Sequence, residues 1–439
     1  MSSGQREDEA LRAAVEDAPE LSDRPGWRVG LKRLAVDVRP LRYRHFRNLW
    51  IGQSISFFGS NITYVAIPYQ TYQLTGSTLA VGLIALCELI PLLTLSVVGG
   101  TIADAVDRRR LLLVTELGLV ACSVLLVLNA SLDRPRVWAL YLLAAAITAL
   151  WALGSPALRS LTPRLVPEDQ LASASLLNTA YHSLAAVGGP ATGGLLIATI
   201  GLTGTYLVDV GTFAASLTAI WRLPGFPPHE HADSVSLRSM LEGFRFVKAR
   251  RVILGIFLLD TNAMIFGMPS ALFPALAEHR FGGGAGVVGL LYAAPYAGAL
   301  LTTLVSGWVT HVRRQGLAVA IAAGLWGVAI LLFGFAESLP LALLLLAFAG
   351  AADNVSAAFR SAIVLAATPD AMRGRVSGIE LAQVASAPAL GNVEAGLVAS
   401  LTSLRFSIVS GGLICVLGTG FIVAVFPALL RYDARQPRE

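Results

Sequence analysis

The chain has 439 residues, 55% of them hydrophobic and only 14% charged, with a mean hydropathy of +0.66. A typical soluble domain carries about 25% charged residues, so the composition excludes an ordinary cytosolic enzyme, a disordered chain and a fibrous protein. The net charge of +5 is spread over many short basic stretches, which does not point to nucleic acid.

The first 40 residues are polar, mix both signs and lack an apolar h-region, so no cleaved signal peptide is expected. A membrane-spanning helix needs roughly 20 apolar residues. Apolar runs and their breakers predict twelve such segments, near 48–71, 78–103, 111–130, 137–157, 174–200, 203–223, 252–277, 286–310, 316–336, 339–366, 376–400 and 405–430. In hydrocarbon the backbone must satisfy its own hydrogen bonds, so these segments are expected to be helices. The expected organisation is a tail over 1–46, a six-helix bundle over 47–223, a central loop over 224–251, a second six-helix bundle over 252–430 and a short tail over 431–439. Cys87, Cys122 and Cys415 all sit inside apolar runs and read as packing residues, with no disulfide or metal spacing.

Lys and Arg set the orientation. With a cytoplasmic N-terminus, 29 of the 33 fall on the inner side, and only Arg134, Arg136, Arg280 and Arg405 fall outside. Both termini are therefore expected in the cytoplasm, in a multi-pass protein of the inner, or plasma, membrane. The central loop opens with GFPPHEHADS, a loop composition whose His229 and His231 need no metal. LRSMLEGFRFVKARR follows and predicts a basic amphipathic helix at the membrane surface.

The two halves resemble each other. VGLIA at 81–85 matches VGLLYA at 288–293, SPALRS at 155–160 matches SAAFRS at 356–361, and Gly189 and Gly194 match Gly391 and Gly396. Matches in constant order at a nearly constant offset indicate a duplicated six-helix unit. Such duplication places a binding site between the halves near the midplane.

Six acids lie inside apolar spans: Glu88, Glu116, Asp209, Asp260, Asp353 and Glu394. Each costs about 3 kcal/mol at the membrane centre on the insertion scale, so each needs a partner, water or a proton. Asp260 and Asp353 come first as proton-coupling candidates, and Glu88 next. The plainer readings pair Glu116 with the Arg108–Arg110 cluster and let Asp209 and Glu394 reach the outer surface. Arg159 and Arg360 occupy equivalent places in the two halves. A shared structural job, snorkelling toward phosphate, is favoured for them over substrate contact.

GGTIADAVDRRR at 99–110 resembles the signature loop of the major facilitator superfamily. Gly100, Asp104, Arg108 and Arg109 match it, whereas Ala105 and Asp107 stand where the family has Arg and Gly. The second half keeps Gly307 and the pair Arg313 and Arg314, with His311 in place of the acid. The resemblance covers residues 40 to 430. It implies an all-α membrane fold of two pseudo-symmetric six-helix bundles, and a gating role for Asp104 and Arg108. The alternative for the basic cluster is a topological anchor, which is the favoured reading for Arg110.

AAVGGPATGG at 185–194 resembles the core of the family's antiporter motif, with Gly189, Pro190, Gly193 and Gly194 in place and the upstream glycines replaced by Tyr181 and Ala185. Pro190 bends the helix and the glycines admit a close partner. The implied job is an outer seal. Plain helix packing is the alternative. The opening LRYRHFRNLWIGQSISFFGSNITYVAIPYQ is similar to bacterial exporters of the enterobactin-exporter and macrolide-efflux type, whose relatives include lysophospholipid carriers. Helices one and seven line the cavity in this superfamily, so Asn61, Tyr64, Tyr69 and Asn262 are substrate-cavity candidates, as is His182. Helix-to-helix bonding is the equally weighted alternative for the polar residues of spans one and seven.

No P-loop, Ser-His-Asp order, zinc spacing or dinucleotide fingerprint occurs. No catalytic residue, metal or cofactor is expected. The expected function is export of a small amphipathic compound (a drug, siderophore or secondary metabolite) by a monomeric proton-coupled antiporter working by alternating access. The proton gradient would be the energy source, and the partners are substrate, protons and lipid. The alternatives are an importer or facilitator, a lysophospholipid flippase on the same fold, and a membrane protein that senses or interacts without transporting.

Overall fold

The computed structural model describes residues 37–225 and 237–433; the side chains at 96–104, 237–241, 243, 310 and 371 also lie outside the described residues. Among the described residues the chain is helical throughout, with no β-strand. The first half comprises α1 (Arg44–Thr75), α2 (Thr78–Ala105), α3 (Arg108–Ala130), α4 (Val137–Leu165) and α5 (Leu171–Trp221). A loop helix, α6 (Leu237–Ala249), leads into α7 (Arg251–Phe266) and α8 (Phe273–His279). The second half continues through α9 (Ala285–Leu304), α10 (Gln315–Phe333), α11 (Leu339–Ala367), α12 (Asp370–Leu401), α13 (Leu404–Val425) and α14 (Pro427–Leu430).

Ten helical stretches are long and apolar enough to cross a membrane. One of them contains all of α5, whose 51 residues amount to two crossings. Gly201 divides α5 at φ 74°, a conformation that costs other residues but not glycine, and it turns the chain back. The first helix, α1, is not among the ten because its buried face is polar: Gln53, Ser56, Thr63, Gln70 and Thr71 are all buried. With α7 and α8 forming one interrupted span, the described helices make twelve crossings. The interruption differs from the single run expected over 252–277: Pro269 and Pro274 flank a short 3-10 turn at Ser270–Leu272.

The turns define two ends of the bundle. The tail end holds Asp37, the loop helix and Tyr432; the far end holds turns such as 131–136 and 280–284. Asp37 accepts hydrogen bonds from Arg39 and from Ser173 at the start of α5, tying the entry of the chain to the first half. The Arg39 bonds hold its carboxyl down at about 2. In α6, Phe246 and Val247 pack into the second half and Glu242 pairs with Arg375 at 3.0 Å, so this amphipathic helix is docked on its own half.

The two halves share one apolar core at the far end, where Val65, Ile84 and Leu126 join Leu272, Leu291 and Phe333. Toward the tail end the core splits. Phe46, Leu112, Leu161 and Leu177 form a cluster of the first half, and Ile253, Ile363, Val376 and Ile422 form one of the second. The bundle is thus closed at the far end and parted at the tail end.

Candidate functional site

Two crossings hold the halves together, and they are related by the internal repeat. In one, α5 meets α9: a Cβ added at Gly194 would land on the Ala285 carbonyl and 2.9 Å from Gly289 Cα. In the other, α2 meets α12: a Cβ at Gly396 would lie 2.6 Å from the Thr78 carbonyl, and one at Gly82 would strike the Asn392 carbonyl. Thr78 Oγ1 donates to the Gly396 carbonyl at 2.9 Å. Gly82 and Gly289 are repeat partners, as are Gly194 and Gly396, so one contact is used twice. Further out, Tyr72 and His279 share a 2.9 Å hydrogen bond, and Gln73 Nε2 donates to Glu278 at 3.3 Å.

The antiporter-like motif divides its work. Gly189 and Gly193 face α1, where a Cβ would meet Asn61 or Ile62, and Gly194 faces the other half. The signature loop is described only in part. Gly100 and Asp104 lie outside the described side chains. Arg108 is buried, and Arg109 donates to the Trp221 carbonyl at the end of α5, where a cation suits the helix C-terminus. Asp107 caps α3 by accepting from the Arg110 N–H at 3.0 Å, a job that accounts for an acid at this position.

The acids of the two halves are treated differently. In the second half, Asp260 on α7 is buried and ion-paired with Arg360 from α11. Gln383 on α12 donates to Asp260 at 3.0 Å and to the Phe257 carbonyl at 2.9 Å. The half-open Asp353 stands 3.8 Å from the same guanidinium. Arg360 therefore does not snorkel as its position suggested; its side chain is 14% exposed and lies between two carboxylates.

In the first half, Asp209 is 1% exposed and accepts from Thr63 at 2.7 Å and Ser123 at 2.9 Å. It does not reach the surface, because α1 and α3 supply hydroxyls that replace water. Glu116 is likewise buried and accepts from Gln53 at 2.9 Å instead of pairing with the arginine cluster. Gln53 also donates to Ser216, so it links α1 to both α3 and α5. Glu394 on α12 is half-buried.

The cavity candidates differ in what their side chains do. Asn61 donates to its own helix at Phe57, and Asn262 holds α7 to α13 by donating to the Cys415 carbonyl at 2.8 Å, so both amides make helix contacts. Tyr69 is half-buried against the shared core. Tyr64 does face the centre, in edge contact with Tyr292 across the halves at 5.5 Å, and both line a cavity of about 60 Å³ together with Glu88. His182 is exposed and stacks on Tyr181 at 4.3 Å in a larger cavity of about 560 Å³ at the tail side of the first half. Arg159 lines that cavity too.

Sequence reasoning missed Gln383, Tyr292 and Ser123. Their only signal was polarity within an apolar run, which does not tell an inward from an outward face.

Residues 35–437 match the profile of the family described as transmembrane secretion effector. The chain is 32% identical over 395 residues to an enterobactin exporter, EntS, of Shigella boydii serotype 18, covering 90% of this chain and 94% of that protein. It is similar to the same extent to EntS of Escherichia coli O81. Among solved structures, a POT family transporter in complex with 5-aminolevulinic acid superposes with a TM-score of 0.70 at 13% identity, over 87% of this chain and 96% of that one. A bacterial homologue of the human lysosomal transporter Spinster, inward-facing and unoccupied, gives 0.65 at 16% identity, over 92% and 100%.

Proposed function

Because this chain belongs to the transmembrane secretion effector family of major facilitator transporters, we propose that it is a proton-coupled exporter moving a small organic compound by alternating access. The protein is a multi-pass membrane transporter. Export as the direction is supported by the relatives named enterobactin exporters. The positive-inside distribution of Lys and Arg supports the tail end as the cytoplasmic end. On that orientation the parted end faces the cytoplasm, where an exporter loads.

The observation that carries proton coupling is the Asp260–Arg360–Asp353 arrangement. A buried ion pair is stable only while both members keep their charge. When Asp260 takes a proton, Arg360 loses its nearest counter-charge and is left with Asp353, which is partly exposed. Gln383 stays in place to hold the neutral carboxyl. The proton thereby alters the balance of contacts among α7, α11 and α12. Because α12 also carries the Gly396 crossing, this change reaches the closed end. Proton and substrate then bias one two-state equilibrium, which is what exchange requires.

Everted membrane vesicles test this reading. Respiration acidifies their interior, and an exporter then accumulates enterobactin or ethidium inside, with the uptake collapsing on addition of a protonophore. Accumulation of both probes only in right-side-out vesicles would reverse the direction, and uptake indifferent to the protonophore would remove the proton.

A further inference from the structure

The duplicated arginines end in opposite situations. Arg360 is nearly enclosed and has two carboxylates beside it. Its repeat partner Arg159 is exposed to the cavity of about 560 Å³ between α1, α4 and α5. None of the described side chains lining that cavity is acidic, and no carboxylate among the described residues pairs with Arg159. The two buried acids of the first half are engaged elsewhere, Glu116 with Gln53 and Asp209 with Thr63 and Ser123. A cation held in an aromatic cavity without a counter-ion attracts an anion, and it does so strongly where protein and lipid lower the local dielectric.

The rest of the lining selects among anions. Trp50, Trp151, Tyr181 and His182 present ring faces and edges, with His182 already stacked on Tyr181 at an interplanar angle of 26°. Ser155 and Asn178 add hydroxyl and amide groups. A volume in the range of about 300–1,000 Å³ suits a drug-sized molecule. The geometry points to a loading subsite in the first half for an aromatic anion, whose ring stacks among Trp50, Trp151 and His182 while its carboxylate or phenolate is held by Arg159. This inference rests on the exporter reading and deepens it by naming the substrate class. It also divides the labour of the halves, since substrate charge is read by Arg159 and proton charge by the Arg360 triad.

Equilibrium binding to the purified full-length protein tests it without any gradient, so proton coupling or direction can fail independently. Three probes share one ring system: 2-naphthoate, the neutral 2-naphthamide and a cationic naphthylmethylammonium. The parent protein is expected to prefer 2-naphthoate over the amide by on the order of tenfold. Arg159→Gln should erase that preference while leaving amide binding in place, and Arg159→Lys should keep part of it. Trp151→Leu should weaken both naphthoate and amide, and Arg134→Gln, at the far end, should change neither. Retained amide binding by Arg159→Gln also shows that the variant is folded. An unchanged naphthoate preference in Arg159→Gln would overturn the proposal. So would a parent protein that binds lysophosphatidylglycerol through Arg159 and no naphthoate, which would make the cation a lipid-headgroup anchor.

Discussion

The two six-helix halves descend from one repeated unit, yet they handle charge in opposite ways. The first half gives its buried acids Asp209 and Glu116 neutral hydrogen-bond donors, Thr63, Ser123 and Gln53, and leaves its arginine Arg159 open to a cavity. The second half sets its acid Asp260 against its arginine Arg360 inside the bundle and keeps a second acid, Asp353, at the edge. What the repeat preserves instead is the close contact between the halves: the same glycine crossing, Gly82 with Gly396 and Gly289 with Gly194, joins them twice. Symmetric contacts suit a rocking motion that must be balanced about a central axis. Asymmetric charges suit a device in which one half senses protons and the other holds cargo.

The largest effect should come from splitting the second half's ion pair. Arg360→Leu leaves Asp260 buried with Gln383 alone, and loss of one partner of a buried pair typically costs about 3–5 kcal/mol. Thermal unfolding in detergent should show this loss, and combining the change with Asp260→Leu should recover most of it. If the double variant were no better than the single one, the pair would not be the unit described.

The crossings come next. A side chain at Gly194 or Gly396 has no room in the closed far end, and overpacking costs about 1–3 kcal/mol in that state. Gly194→Leu and Gly396→Leu should therefore both shift the carrier toward a far-end-open form. Spin labels at positions 133 and 337, one at the far end of each half, should report a longer separation in both variants. A change in only one of them would break the equivalence of the two crossings.

Asp209→Asn should have the smallest effect. Thr63 and Ser123 both donate to the same oxygen, Oδ2, so the amide oxygen can keep both bonds but loses the charge that strengthened them, at a cost of about 1 kcal/mol in thermal stability. A loss as large as that of Arg360→Leu would mean that the first half also depends on a buried charge.

Much of the fold was legible in the sequence because bilayer thickness imposes a length on every apolar run. The ends of α2 and α11 fall within two residues of the spans read for them. Pro163 lies inside α4, which runs eight residues past its apolar stretch to Leu165, because helix continues where hydropathy stops. The polar face of α1 lowers its hydropathy below that of the other spans although its apolar run still marks it, and Gln53 and Thr63 look out of place until α3 and α5 supply their partners. The candidate site was legible only as a set of residue types. Asp260 and Arg360 lie 100 residues apart, and only the rotation of α7 and α11 brings them together. The same rotation sets the Asn262 amide against α13. A polar residue in an apolar run announces that it has a partner, but the register of packed helices decides which.

The central claim is that Asp260 in the second half carries proton coupling and Asp209 in the first half does not. The direct measurement is uptake by proteoliposomes driven by an imposed pH gradient, made in parallel on Asp260→Asn and Asp209→Asn at equal protein content. Asp260→Asn should abolish gradient-driven uptake while retaining substrate exchange without a gradient, and Asp209→Asn should remain driven by the gradient. Gradient-driven uptake that survives in Asp260→Asn, or vanishes in Asp209→Asn alone, would contradict the account.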